Sequence, residues 1–276
     1  MGHWNGNKYD WINRENIQWG VDNVTKLMNM WGNHPAVYAL EPVNEPWWNS
    51  DIPTLKDFYR SVRKEIQKVN PAVKFVFHDS FLPYANIWND LFADDDIENV
   101  VLDTHTYMAW DPARSEIGAY CDNYGSRLYS SDIQDIKYDV WVGEWSLATD
   151  VCAFWLGGFN DSNTEYQFEC NWVECPYSYL PEPHNVDFDR NAATLGPWGE
   201  NDRSMVKNGK CAIDSNYFSD SDVQRLGDCT RYIFDHSVEG QFLWTFRNEL
   251  EVKWDYIKAY EKGWIKHPKT AETFLQ

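Results

Sequence analysis

Two short apolar segments of the chain each lead into a glutamate, and this arrangement most constrains the fold. Residues 36–40 precede Glu45, and residues 139–143 run directly into Glu144. Uninterrupted apolar runs of this kind are typical of parallel strands that are buried on both faces. Both glutamates then lie at the carboxyl ends of strands, the edge where α/β barrels build their sites. Paired carboxylates at that edge indicate glycosidic-bond chemistry.

Amphipathic helical segments alternate with apolar extended segments along the chain. The apolar spacing over Arg14 to Trp31 predicts a helix, which Gly32-Asn33-His34-Pro35 ends. This alternation predicts parallel strands joined by right-handed crossovers, in a single domain over 1–276. The predicted strands are about 36–42, 74–78, 99–104, 139–143 and 241–246, and the other predicted helices are 53–69 and 255–261.

The segment 150–221 breaks this alternation. It contains four prolines and four of the six cysteines, so we predict a long, crosslinked loop that emerges just after Glu144 and roofs the cavity. An even number of cysteines is typical of a disulfide framework in a secreted protein, and fifteen pairings remain open. Zinc binding is the rival explanation, and we predict no metal site. The cysteines lie at positions 121, 152, 170, 175, 211 and 229.

Composition and charge narrow the range of partners. A net charge of −19 and a pI near 4.6 argue against nucleic-acid binding, because a polyphosphate would be repelled. No run approaches the roughly 20 apolar residues that a membrane span needs. The 16 Trp and 16 Tyr residues favour a neutral carbohydrate partner, since sugar faces pack on aromatic rings. No cofactor is predicted.

Four motifs lie in order along the chain, at the ends of predicted strands. They are Asn44-Glu45-Pro46, His105-Thr106-Tyr107, Gly143-Glu144-Trp145 and Trp244-Thr245-Phe246. Together they resemble glycoside hydrolase family 5 of the cellulase superfamily, and within it most closely the fungal-type exo-β-1,3-glucanases. The resemblance implies a (β/α)8 barrel and a retaining hydrolase of β-glucan that uses two glutamates. It also implies a protein of the extracellular space or cell wall.

The resemblance implies a role for each motif residue. Glu45 would be the general acid/base and Glu144 the nucleophile of a covalent intermediate. Asn44 would hydrogen-bond the sugar 2-hydroxyl, Tyr107 would orient Glu144, and His105 would bind substrate or Glu144.

Aromatic residues would complete the predicted cleft. Trp244 would form the floor under the reacting sugar, and Phe81, Trp110 and Trp145 are candidates for its wall. The alternative interpretation is that these aromatic side chains only pack in the hydrophobic core and do not contact a ligand.

The chain departs from the family pattern in its strand count. Only five strands are predicted, and the first of them carries the acid/base that the family places on its fourth strand. We therefore expect the C-terminal portion of a barrel, from a longer enzyme that is monomeric at full length. Residues 1–6 show none of the features of a secretory signal peptide.

Two classes of function remain open at this point. The first is a hydrolase or transglycosylase, with β-1,6-glucan, cellulose-like or mannan substrates as rivals to β-1,3-glucan and with exo action favoured only by the resemblance. The second is a non-catalytic glucan-binding protein or remnant that keeps the aromatic contacts.

Overall fold

The computed structural model describes three parts of the chain. They are residues 14–149 apart from 95, 112, 113, 115 and 130, residues 218–248, and residues 252–265. The predicted loop over 150–221 lies outside the described residues, except at its end, where a helix has already begun at Asp220.

Helices and strands alternate through the described residues. The strands are β1 (Ala39–Leu40), β2 (Lys74–His78), β3 (Val100–His105), β4 (Asp139–Trp145) and β5 (Gly240–Leu243). The helices are α1 (Arg14–Trp31), α2 (Ile52–Val69), α3 (Ala85–Trp88), α4 (Ile117–Leu128), α5 (Ser131–Gln134), α6 (Asp220–Ser237) and α7 (Tyr256–Glu261), and a 3-10 turn spans Val252–Trp254.

The five strands form one sheet in sequence order. β1 is parallel to β2, with Ala39 opposite Lys74, and β2 is parallel to β3, with Phe75 opposite Val100. Sequential order with parallel pairing is what helical crossovers between strands produce, so carboxyl ends lie at one edge of the sheet.

α2 shows how the sequence sets an element boundary. Asp51 caps its amino terminus, because the Asp51 carboxylate accepts the Thr54 N–H at 3.1 Å, and Pro53 fits the first turn. The apolar residues Leu55, Phe58, Tyr59, Val62 and Ile66 recur at helical spacing and are buried. Burial of such a side chain stabilises the fold by about 1.5 to 3 kcal/mol.

The described residues form two compact units. The first comprises those within 1–105, 126–143 and 234–241. Its core joins α1, α2 and the apolar strand residues around Phe77, which contacts Tyr59, Trp88 and Tyr138 at ring-centroid distances of 5.4 to 5.6 Å.

The second unit comprises the described residues within 106–125, 144–233 and 242–276. A disulfide between Cys121 in α4 and Cys229 in α6 crosslinks it across 108 positions. A small apolar cluster of Ala109, Ala148 and Trp254 packs against Tyr107. The single domain over 1–276 stays a prediction.

The predicted elements match the structure unevenly. α1 and β2 have their predicted bounds, whereas β1 is only two residues long because it pairs with β2 at only two positions. The sequence analysis missed α4 and α6, whose polar and glycine residues interrupt the apolar spacing.

A matched pair of glycine substitutions tests the packing of α6. A Cβ at Gly227 would collide with the backbone carbonyl of Trp264, whereas a Cβ at Gly118 in α4 meets nothing within 4 Å. We expect Gly227→Ala to lower the free energy of unfolding by about 1 to 3 kcal/mol. Gly118→Ala should raise it by about 0.5 to 1 kcal/mol, because alanine favours the helix. Equal effects in urea unfolding would contradict the close approach at Gly227.

Candidate active site

Glu45 lies on the loop that follows β1 and has an unusual backbone. Its φ of 45° is in the left-handed region, which non-glycine residues rarely adopt. Such conformations cost about 1 to 3 kcal/mol and persist where the surroundings impose them. The Glu45 side chain is one-third exposed, so it can reach a ligand.

The Glu45 carboxylate begins a chain of hydrogen bonds within the first unit. Glu45 Oε1 lies 2.6 Å from His105 Nδ1, and His105 Nε2 lies 3.1 Å from Asp103 Oδ2. The other oxygen, Asp103 Oδ1, accepts the Gly143 N–H at 2.6 Å. Asp103 and His105 are two residues apart on β3, so their side chains share one face of the strand.

His78 packs edge-on against His105, with ring centroids 4.5 Å apart. Burial, followed by the charge of His105, holds the pKa of His78 well below its ordinary value of 6.5, so the ring is neutral. His78 Nδ1 accepts the Ser80 N–H at 2.9 Å, which places the ring proton on Nε2. Among the described residues, Nε2 has no hydrogen-bond partner.

Glu45, His78 and His105 also form a possible cation cluster, because one ligand atom from each lies within 4.8 Å of the others. Both His105 nitrogens make hydrogen bonds. His78 accepts the Ser80 N–H at Nδ1 and keeps its proton on Nε2, so it offers no free lone pair to a metal. This donor set therefore fits a hydrogen-bonded network better than a metal site.

A second strained turn supports the Glu45 loop. Ser80 and Phe81 have φ values of 58° and 57°. The buried Ser80 hydroxyl lies 2.8 Å from the carbonyl oxygens of both Pro46 and Trp47, so it ties this turn to the residues after Glu45. Phe81 contacts the exposed Trp47 edge-on at 5.3 Å.

Asp79 is a buried carboxyl beside this turn. Burial raises the pKa of Asp79 to about 7, while hydrogen bonds from Thr104 and from the Phe81 N–H act in the opposite direction. Asp79 Oδ1 accepts the Phe81 N–H at 2.7 Å and so helps to hold the turn.

Glu144 lies near the end of β4 and in the second unit. Its carboxylate accepts the Tyr107 hydroxyl at 2.6 Å, and its carbonyl accepts the Thr106 N–H at 3.0 Å. The Tyr107 ring packs against Trp110 at 5.0 Å and against Trp254 at 5.4 Å. The nucleophile candidate is thus held by a phenol that aromatic packing fixes in place.

The other predicted residues differ in exposure. Asn44 is exposed, and Trp110 and Trp244 are each 49% exposed, so all three can meet a ligand. The Trp244 N–H donates to the Trp145 carbonyl at 2.7 Å, and the Trp244–Thr245 peptide bond is cis. Trp145 is only 2% exposed, which favours packing over contact with a sugar.

The structure brings Glu45 together with His105 and Glu144 together with Tyr107. Tyr107 also contacts Trp110, and the Trp244 backbone contacts that of Trp145. His105 is predicted to bind substrate or Glu144, which stays a prediction, and its hydrogen-bond partners include Glu45. Sequence reasoning missed Asp103 and Trp254. A charged residue inside the apolar run 100–105, two positions before His105, was the available signal for Asp103. No motif marks Trp254.

Sequence comparison relates the chain to curated glycosidases. The chain matches no protein-family model. It is 33% identical over 243 residues to the glucan 1,3-β-glucosidase of Blumeria graminis, covering 84% of this chain and 49% of that protein. It is 23% identical over 274 residues to glucan 1,3-β-glucosidase 2 of Wickerhamomyces anomalus, covering 96% and 57%. The chain spans about half the length of the curated relatives it matches.

Comparison with solved structures identifies the type of fold. The rutinosidase of Aspergillus niger aligns with a TM-score of 0.58 and 18% identity, over 96% of this chain and 61% of that one. Together with the strand order, this likeness confirms an α/β fold of the (β/α)8-barrel type, of which the described residues contain five strands. The resemblance to glucan 1,3-β-glucosidases is confirmed by the sequence relatives.

The buried Asp79 predicts a pH dependence of stability. Its folded pKa of about 7 exceeds the ordinary 3.8, so the folded protein keeps a proton that the unfolded chain loses as pH rises. The free energy of unfolding should therefore fall between pH 4 and 7, by at most about 1.4 kcal/mol per pH unit. Asp79→Asn should abolish this contribution, because an amide can still accept the Phe81 N–H but does not titrate.

The control for this experiment is Asp94→Asn. Asp94 is exposed, and Lys137 lowers its pKa, so this variant should keep the fall in stability. Urea unfolding at several pH values measures each slope. A slope in Asp79→Asn that equals the wild-type slope would show that Asp79 ionises in the folded state as it does in water.

Proposed function

We propose that this chain, which is homologous to the glucan 1,3-β-glucosidases, is a retaining O-glycosyl hydrolase of β-glucan. The observation that carries the proposal is the hydrogen bond from Tyr107 to the Glu144 carboxylate at the end of β4. A phenol that donates to a carboxylate fixes its orientation and favours its ionised form, as a nucleophile requires.

Glu45 is the proposed general acid/base. Its carboxylate is partly exposed and contacts His105 at 2.6 Å, a separation at which a proton must lie between the two atoms. A carboxyl with a proton held beside it can serve as the acid for a leaving oxygen.

The reaction has two steps. A Glu144 oxygen attacks the anomeric carbon, the glycosidic bond breaks, and Glu45 gives its proton to the leaving oxygen. Glu45, now a carboxylate, then takes a proton from water as that water attacks the anomeric carbon and displaces Glu144. Two inversions give net retention of configuration. In both steps Asn44 is the proposed partner of the sugar 2-hydroxyl.

The aromatic residues support a sugar substrate. In the second unit, Trp110 and Trp244 present half-exposed rings, and sugar faces stack on such surfaces. Trp244 is the proposed floor of the sugar site and Trp110 part of its wall, while Phe81 next to Trp47 is proposed to contact the leaving group. We take β-1,3-glucan as the favoured substrate and exo action as the favoured mode, because relatives in two fungi are named glucan 1,3-β-glucosidases.

We further propose that the protein works outside the cell or in the cell wall. The Cys121–Cys229 disulfide supports this location, because disulfides persist in oxidising compartments. No helix among the described residues has the length and hydropathy to span a membrane.

The anomeric form of the first product tests the mechanism. With laminari-oligosaccharides, proton NMR of the early reaction should show the β-anomer released first. Glu144→Ala should reduce turnover by at least about 1000-fold while it keeps the far-UV circular dichroism spectrum, because it removes the nucleophile. Glu116→Ala, which alters an exposed glutamate in the same unit, is the control and should retain activity. Binding of the sugar without turnover by the wild-type chain would favour a non-catalytic glucan-binding protein.

A further inference from the structure

We propose that Asp103 is a positioning residue that acts through His105 and thereby controls where the proton of the acid/base Glu45 lies. This inference rests on the proposed function, because it concerns the same site. Asp103 touches no reacting atom. It acts by fixing which nitrogen of His105 carries a proton.

Two contacts define the role of the Asp103 carboxylate, one at each oxygen. The Gly143 backbone N–H can only donate, so Asp103 Oδ1 is an acceptor. Oδ2 lies 3.1 Å from His105 Nε2, and the Asp103 residue is 3% exposed. A buried carboxylate needs donors at both oxygens, and His105 Nε2–H supplies the second one.

The proton count follows from this geometry. With its Nε2–H given to Asp103, His105 leaves Nδ1 facing Glu45 Oε1 at 2.6 Å. One proton lies between these two atoms, either on Glu45 beside a neutral ring or on the ring beside a carboxylate. In both states Glu45 has a proton at hand for the leaving oxygen, and no proton is created or lost.

The close approach of Gly143 holds the Asp103 carboxylate in place. A Cβ on Gly143 would overlap both oxygens of the Asp103 carboxylate, so β4 comes this close only because residue 143 is glycine. Gly143 immediately precedes Glu144 in the chain. The same carboxylate thus orients the partner of Glu45 and contacts the strand that leads into Glu144.

The environment of the His105 ring also supports this role for Asp103. The neutral His78 ring packs edge-on against it and makes its own hydrogen bond to the Ser80 N–H. His78 therefore restrains the plane of the His105 ring without adding a charge beside Glu45. Asp103 contacts His105 at Nε2, on the side of the ring opposite Glu45.

Replacement of Asp103 by asparagine exchanges the hydrogen-bond donor and acceptor between residue 103 and His105 Nε2, with almost no change in the shape of the side chain. The amide oxygen can still accept the Gly143 N–H, and the amide NH₂ then faces His105 Nε2. Nε2 must become an acceptor, so the ring proton moves to Nδ1 and is donated to Glu45. Glu45 is then held as a carboxylate beside a neutral ring, which, unlike an imidazolium, cannot give up its only proton, so Glu45 is a poor acid.

The first test does not depend on activity. ¹⁵N-histidine NMR of the full chain should show His105 with its proton on Nε2, and the resonance is assigned by its loss in His105→Gln. Asp103→Asn should move that proton to Nδ1. Asp79→Asn is the matched control, because Asp79 is also buried and accepts a backbone N–H but makes no hydrogen bond to His105. A His105 ring without a proton on Nε2 in the wild-type protein, or Nε2–H in Asp103→Asn, would overturn the proposal.

The second test compares leaving groups. Laminaribiose needs a proton for its leaving oxygen, whereas 2,4-dinitrophenyl β-glucoside needs almost none. Asp103→Asn should lower kcat on laminaribiose by about 10- to 100-fold and should change kcat on the dinitrophenyl substrate much less. KM should change little. In Asp79→Asn the two substrates should be affected equally.

These readouts separate the two proposals. If the wild-type chain hydrolyses neither substrate, the proposed function fails, while the NMR result still decides the role of Asp103. If Asp103→Asn loses activity equally on both substrates, Asp103 is only structural and the inference fails, whereas the glycosidase proposal stands.

Discussion

The buried Asp103 carboxylate is the contact on which the first unit's part of the candidate site depends. It accepts the backbone N–H of Gly143 on one oxygen and contacts the His105 ring with the other. A buried charge without such donors would cost several kcal/mol, so the two contacts stabilise each other. Through them, one carboxylate links Gly143 in β4 to the orientation of His105, the partner of Glu45.

The backbone around this contact is strained at several positions. Glu45, Ser80 and Phe81 all have left-handed φ values, and none of them is glycine. The surrounding hydrogen bonds offset this cost: Ser80 ties its turn to Pro46 and Trp47, and Asp79 holds Phe81. Strain that is maintained by buried polar contacts is typical of sites where a side chain must point in one direction.

The sequence predicted those helices and strands whose apolar spacing matches the face that they bury in the fold. The apolar spacing of α1 and α2 and the apolar run of β2 yield nearly their observed bounds. β1 is shorter than predicted, since only Ala39 and Leu40 pair with β2. α4 and α6 were missed, because the disulfide and packing that support them join residues far apart in sequence.

The same distinction applies to the candidate site. Glu45, Glu144, His105 and Tyr107 lie in recognisable motifs, and two pairs among them are in contact. Asp103 lies within an apolar run, and only its contact with Gly143, 40 positions away in the chain, reveals why a charge is placed there. Local sequence contains no information about that partner.

The proposed mechanism requires a covalent bond between the Glu144 carboxylate and the sugar. The most direct measurement is mass spectrometry of the chain after incubation with 2,4-dinitrophenyl 2-deoxy-2-fluoro-β-glucoside, whose fluorine slows breakdown of the intermediate. The account predicts a stoichiometric mass increase of one fluoroglucosyl group, located on the peptide that contains Glu144 and absent in Glu144→Ala. Labelling of a different residue, or turnover of natural substrate with no labelling and with inversion at the anomeric carbon, would contradict it.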